Sequence, residues 1–196
     1  MAYTANISIL QDSYINNRPT TYNYLRPNGF RFTIKEMPYV AYTCQSANIP
    51  ALQLGNAILP TPFVDIPIIG DKINFGDLTI RFLIQEDMSN YIEILGWLVA
   101  LGFPTEHKQF TSFVQKRENR FPYSQGGKRT DALAYSDATL TILDSTNTPK
   151  TDIMFYDLFP ISIEALDYDV TTTDVPFMVG IASFKYKYFD IKTLIV

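Results

Sequence analysis

The residues able to do chemistry are few in this 196-residue chain. A single histidine, His107, stands beside Lys108, and no nucleophile, orienting carboxylate and oxyanion donor can be grouped around it from sequence. It is expected to be an exposed loop residue. Cys44 is the sole cysteine, which excludes an internal disulfide and a cysteine-based zinc cluster and predicts a small apolar core residue. With no HExxH, no CxxC and no second histidine, a transition-metal site is not expected. The carboxylates Glu86-Asp87 and Asp167 with Asp169 lack the spacing of a calcium loop and read as caps and turns. Gly55 and the Gly126-Gly127 pair match neither a phosphate-binding loop nor a dinucleotide fingerprint. No catalytic, cofactor or metal residue is therefore assigned, and the chain reads as a non-enzyme.

Charge is the more informative chemistry. Between Thr105 and Thr130, six basic residues (Lys108, Lys116, Arg117, Arg120, Lys128, Arg129) face two acidic ones (Glu106, Glu118), a local +4 in a chain of net charge -4. The rest of the chain therefore carries -8. Phe110, Phe113, Phe121 and Tyr123 interleave these cations, a pattern that suits base stacking or a protein interface. An acidic whole argues against a dedicated nucleic-acid module, so Lys116, Arg117, Arg120, Lys128 and Arg129 are expected to dock on an acidic protein partner.

Composition points the same way. Only 18% of residues are charged, against roughly 25% in an ordinary soluble domain, while Phe and Tyr number 14 and 13. Little of the surface can be covered by charge, and tyrosine suits half-wet interfaces, so a subunit buried in an assembly is expected. The apolar run Tyr91 to Phe103 is too short to cross a bilayer, and the N-terminus lacks a secretory signal, which predicts synthesis and retention in a cytoplasm.

The elements that must carry these residues are mostly strands. Residues 1–24 read as an N-terminal arm, and 25–196 as one domain. Alternation predicts strands at Phe30 to Ile34 and Leu78 to Ile84, β-compatible chain from Val40 to Ile49, and strands at Ala138 to Leu143, Asp152 to Phe155 and Ile161 to Leu166. A long closing strand, Phe177 to Phe189, places Ala182, Phe184, Tyr186 and Tyr188 on one face. One helix is expected over 88–101, with Tyr91, Leu95, Leu98 and Val99 at helical spacing, Asp87 or Ser89 as cap, and Gly102 and Pro104 as stop.

The segment Pro60 to Gly76 is apolar yet interrupted by Pro60, Pro62, Pro67 and Gly70, so it is expected to be an extended loop and not a central strand. It either folds over its own core or lies as an arm on a neighbouring subunit. The second alternative makes Phe63, Val64, Ile66, Ile68 and Ile69 an inter-subunit contact.

The segments NGFRFTIKEMPYVAYTCQSANIPALQLG (Asn28 to Gly55) and PTPFVDIPIIGDKINFGDLTIRFLIQEDMSNYIEILGWLVALGFP (Pro60 to Pro104), with FKYKYFDI (Phe184 to Ile191), resemble the tail completion and sheath stabiliser family, or tail-tube terminators, of T-even-type contractile phages. The likeness covers most of the chain beyond the arm, and none of its motifs is catalytic. It implies a mainly β (α+β) tail-tube-like fold, a twisted antiparallel β-sandwich or barrel with a flanking helix and long interface loops. It further implies a virion protein whose six copies form a ring with a continuous inner β-barrel, capping the tail tube. Its partners would be itself, the tube protein, the terminator or neck protein and the sheath, with DNA passing through the lumen unbound. The tube subunit and the baseplate initiator are rivals of the same fold. A nucleic-acid module using the basic loop and a small hydrolase are rivals of other classes.

Overall fold

The computed structural model describes residues 23–35, 37–102, 106–112, 134–171 and 177–194. Strand β1 (Phe30–Ile34) turns Phe32 and Ile34 into the core and Arg31 and Thr33 to solvent, as its alternation predicts. The next element departs from expectation: Pro38–Thr43 forms a short helix, α1, where β-compatible chain was expected. Proline sits in its first turn, where the missing N–H costs nothing and the fixed φ suits a helix. Val40, on its inner side, is completely buried. The chain becomes extended at Cys44, and β2 (Cys44–Ala47) follows.

Among the described residues, Leu52–Pro60 (β3) and Asp65–Phe75 (β4) pair only with each other, as a two-stranded antiparallel ribbon. The expected loop is thus a hairpin. Prolines are tolerated because both strands are edges, and Pro67 pairs opposite Ile58 in the outer half. Strand β5 (Leu78–Leu83) has Leu78, Ile80 and Phe82 fully buried.

Helix α2 (Ser89–Gly102) matches the expected span, and Gly102 is its last residue. Asp87 accepts the Ser89 N–H at 3.1 Å at its start. Its buried stripe is Asn90, Ile94, Trp97 and Ala100, not the Tyr91, Leu95, Leu98 and Val99 stripe picked out by spacing. The helix is apolar on nearly every side, so periodicity alone does not mark the inward face. Polar anchoring does: Asn90 donates to the Leu83 carbonyl at 2.7 Å and to Thr43 Oγ1 at 3.0 Å, and its Oδ1 accepts the Gln85 and Tyr91 N–H groups. One side chain ties α2 to α1 and to the end of β5.

Strands β6 (Ser136–Leu143) and β7 (Pro149–Ile163) are joined by the expected turn, in which Asn147 takes the left-handed conformation that asparagine tolerates. Two strands expected at Asp152 to Phe155 and Ile161 to Leu166 are one. β7 bends near Asp157, where φ is positive, and its halves serve different sheets. The opposite correction applies to the closing strand, which is two elements, β8 (Val179–Lys185) and β9 (Tyr188–Thr193). Burial explains the break: Ala182, Phe184 and Tyr186 point inward, and then the phase slips so that Phe189 is buried and Tyr188 is exposed. Tyr188 therefore does not share their face.

The first sheet runs β1-β6-β7-β9 and the second β7-β8-β5-β2, all antiparallel, with β7 common to both. Phe32, Leu140, Ile153 and Phe155 from the first meet Ile80, Phe82, Ala182 and Phe184 from the second in one core. Trp97 brings α2 onto that core against Phe184 and donates its ring N–H to the Ala134 carbonyl at 3.1 Å. This is a β-dominated α+β fold.

Candidate assembly surface

The β3–β4 hairpin leaves the body from a hydrogen-bonded base. Asn48 bridges its two ends, accepting the Thr79 N–H at 2.7 Å and donating to the Asp77 carbonyl at 3.0 Å. Gly76 N–H reaches the Ala51 carbonyl at 2.9 Å, and Asp77 pairs with Lys185. Phe75 packs edge-on against Tyr186 and Phe189, each at 5.9 Å. Above this base, Leu54 pairs with Ile73 and Asn56 with Ile69, so β4 carries two more residues than β3 across the interval. Backbones come very close there: a Cβ on Gly70 would lie 2.4 Å from the Gly55 carbonyl oxygen. Glycine is the residue that permits such an approach.

Beyond the glycines the ribbon carries apolar residues on both sides, with Asn56 and Asp65 as its polar positions. Opposite residues in an antiparallel pair share a face, so Ile58, Pro67 and Ile69 lie on one side and Ala57, Leu59, Ile66 and Ile68 on the other. At the tip, Thr61 closes the turn on Val64 through its hydroxyl, and Phe63 stands 97% exposed. Ile69 is 81% exposed, and Val64, Ile66 and Ile68 are exposed as well. The five residues singled out in the sequence thus fall together on one projecting element and not over the chain's own core. Leu52, Leu54, Ile58, Leu59 and Ile73 join them as exposed apolar residues that the sequence reading did not assign to this surface. The available signal was two apolar runs flanking Thr61-Pro62, a hairpin pattern.

The basic-loop residues Lys116, Arg117, Arg120, Lys128 and Arg129 lie outside the described residues, as does nearly all of the N-terminal arm. His107 is exposed and stacks on Phe110 with ring centroids 6.1 Å apart. Asp169 accepts the Thr171 N–H and hydroxyl, which hold its carboxyl below the usual range, as befits a turn. Burial pushes the Cys44 thiol up to about 11 against the opposing effect of its bond with Ser46, so it stays protonated at neutral pH and is a poor nucleophile. Among the described residues no three His, Cys, Asp or Glu side chains are grouped to hold a metal ion, and no helix is long and apolar enough to cross a membrane.

No family model and no curated protein matches the sequence. Solved structures do match. A chain of the sheath-tube complex of an extracellular contractile injection system (PVC, extended state) aligns over 99% of this chain and 100% of its own, with TM-score 0.57 and 9% identity. A chain of the anti-feeding prophage tube-terminating cap aligns over 92% and 99%, with TM-score 0.55 and 11% identity. A chain of the six-fold symmetrised anti-feeding prophage baseplate aligns over 89% and 95%, with TM-score 0.51 and 10% identity. At these identities the likeness establishes the fold, which recurs in tube, cap and baseplate assemblies.

Proposed function

We propose that the chain is a structural subunit of a contractile tail, forming a ring, most simply a hexamer, that caps the tail tube and stabilises the sheath end. The observation that carries this reading is the β3–β4 hairpin: an element whose outer half carries exposed apolar side chains on both faces, on a fold like that of a tube-terminating cap. A lone two-stranded ribbon is marginal in water, and an exposed apolar patch of this kind marks an interaction site. Neighbouring copies or the tube protein would cover it. The six-fold symmetry of the baseplate neighbour supports six copies. On this reading the protein has no catalytic role, is assembled in the host cytoplasm, resides in the virion tail, and meets the tube protein, the terminator or neck protein and the sheath.

A second reading, tube subunit or baseplate initiator, is favoured by the equally extensive likeness to chains of the sheath-tube and baseplate structures. Self-assembly separates the two. Purified protein imaged at high concentration, alone and with preformed tubes, should give single rings at tube ends and arrest tube growth. Long tubes built from this chain alone would establish the tube-subunit reading in its place.

A further inference from the structure

We infer that the outer face of helices α1 and α2 is the seat on which a neighbouring copy's β3–β4 hairpin docks. The inference rests on the ring reading above, because a ring fixes what kind of contact the hairpin makes. Copies related by a rotation other than a two-fold meet head to tail, through two different patches on each copy. A hairpin therefore does not cover its own counterpart, and each copy must offer a separate acceptor.

The chemistry of the hairpin says what that acceptor must be. From Asn56 to Ile69 its one charged residue is Asp65, beside the tip, and Phe63, Val64 and Ile69 are largely exposed. Such a surface gains by burial only where the opposing face carries no charge of its own, since a charge stripped of water without a partner costs more than the apolar contact returns. The other clusters of exposed apolar residues on the described body lie beside charge. Tyr168 and Val170 stand among Glu164, Asp167 and Asp169, Tyr188 and Ile191 alternate with Lys187, Asp190 and Lys192, and Tyr24 and Leu25 adjoin Arg26. Each would strand charge beneath an apolar ribbon.

The two helices differ. α1 (PYVAYT) has no charged residue, and α2 (SNYIEILGWLVALG) has only Glu93. Tyr39 and Tyr42 of α1 are exposed, as are Ile92 and Leu95 of α2. The bond from Asn90 to Thr43 ties the helices together, so their outer sides adjoin. On α2, Ile92, Leu95, Gly96 and Val99 recur at helical spacing opposite the buried stripe of Asn90, Ile94, Trp97 and Ala100. The outward face of a surface helix is ordinarily polar, and this one is not.

Gly96 supplies an independent sign. Glycine weakens a helix interior, yet a Cβ at this position would meet nothing within 4 Å. Among the described residues the chain itself gives no reason for the missing side chain. A ribbon pressed against the helix from outside does, because glycine is the residue that lets another backbone or ring approach closely.

The test places p-benzoylphenylalanine at position 63 of the full-length chain, assembles it on tube ends with an excess of isotopically heavy wild-type protein, and locates the photochemical bond by mass spectrometry. Light-to-heavy bonds within residues 38–43 or 89–102 are expected. Bonds to any other surface of the neighbouring copy, to the tube protein, or from light chain to light chain alone overturn the seat and leave the ring reading standing. Gly96→Leu fills the gap with a good helix former, so it should keep or raise the unfolding temperature of the monomer while raising the protein concentration needed for rings by about tenfold. Rings at the wild-type concentration overturn the seat. Should the photoreactive group itself stop assembly, mixing decides in its place. Phe63→Asp and Leu95→Asp should each remain monomeric, and their mixture should give heterodimers, because one intact hairpin and one intact seat remain between them. A mixture that stays monomeric overturns the inference. Wild-type protein that forms no ring on tube ends overturns both the seat and the ring reading.

Discussion

The side chains with perturbed chemistry are structural, and their perturbation predicts how the protein responds to pH. Burial raises the Tyr186 phenol to about 12, helped by the negative Asp77 nearby, and burial raises the Cys44 thiol to about 11. In the unfolded chain these groups ionise at lower pH, so the native state holds its protons longer. Stability from both groups is present below about pH 9 and is lost as pH rises toward 12. Unfolding temperatures measured from pH 8 to 11 should fall steadily, and the Tyr186→Phe variant should fall less. Alkylation of Cys44 should be slow at pH 8 and accelerate as the pH approaches 11. Asn90 is a second residue whose role is to hold elements together. Asn90→Leu leaves the Leu83 carbonyl and Gln85 N–H without their buried partner, at a cost of about 1–3 kcal/mol for each such group. Urea titration should show a lower midpoint with unchanged slope.

At the scale of the element, the hairpin divides stability from assembly. Phe63 and Ile68 are exposed in the isolated chain, so Phe63→Asp or Ile68→Asp should leave monomer unfolding close to wild type. Each large side chain fully buried on assembly contributes about 1.5–3 kcal/mol, so the same changes should block attachment to tubes in a sedimentation assay. Phe82→Ala is the contrasting variant. It empties a fully buried site and should destabilise the monomer by about 3–5 kcal/mol. Hairpin variants that unfold as badly as Phe82→Ala would place the hairpin inside the chain's own core. The basic loop poses a separate question of partner choice. Reversal of Arg117 and Arg120 should weaken partner-ring attachment more at low than at high salt, while self-assembly persists. A steep, salt-dependent grip on DNA that these substitutions abolish would establish the nucleic-acid module instead.

At the scale of the molecule, the fold distributes its edges unequally. The second sheet ends in short, bulged or proline-bearing strands, whereas the first ends in regular ones and the hairpin stands free. A monomer built this way exposes pairing groups and apolar surface together, which is hazardous unless assembly covers both. Protein at high concentration should therefore sediment as closed rings with the hairpin amides protected from hydrogen exchange. Amides of residues 63–69 that exchange equally fast in ring and monomer would show that the hairpin lies outside the contact.

Strand β1 was legible in the sequence because its alternation of Phe30, Phe32 and Ile34 with polar neighbours is a property of adjacent residues alone, and the same holds for β5 and for the span of α2. Low charge and the apolar stretch around Phe63 to Ile69 likewise raised the expectation of an assembly surface, and the structure leaves these residues exposed on the β3–β4 hairpin. Tertiary contacts decided what local pattern could not. Pairing with β3 made a strand of the proline-broken segment, since a ribbon edge does not ask its prolines for hydrogen bonds. Packing of Asn90 and Trp97 chose the inward face of a helix apolar all round. The positive φ at Asp157 let one strand serve two sheets, and the slip between Tyr186 and Tyr188 split another, because a chain crossing from one layer to the other must change which side chains face the shared core.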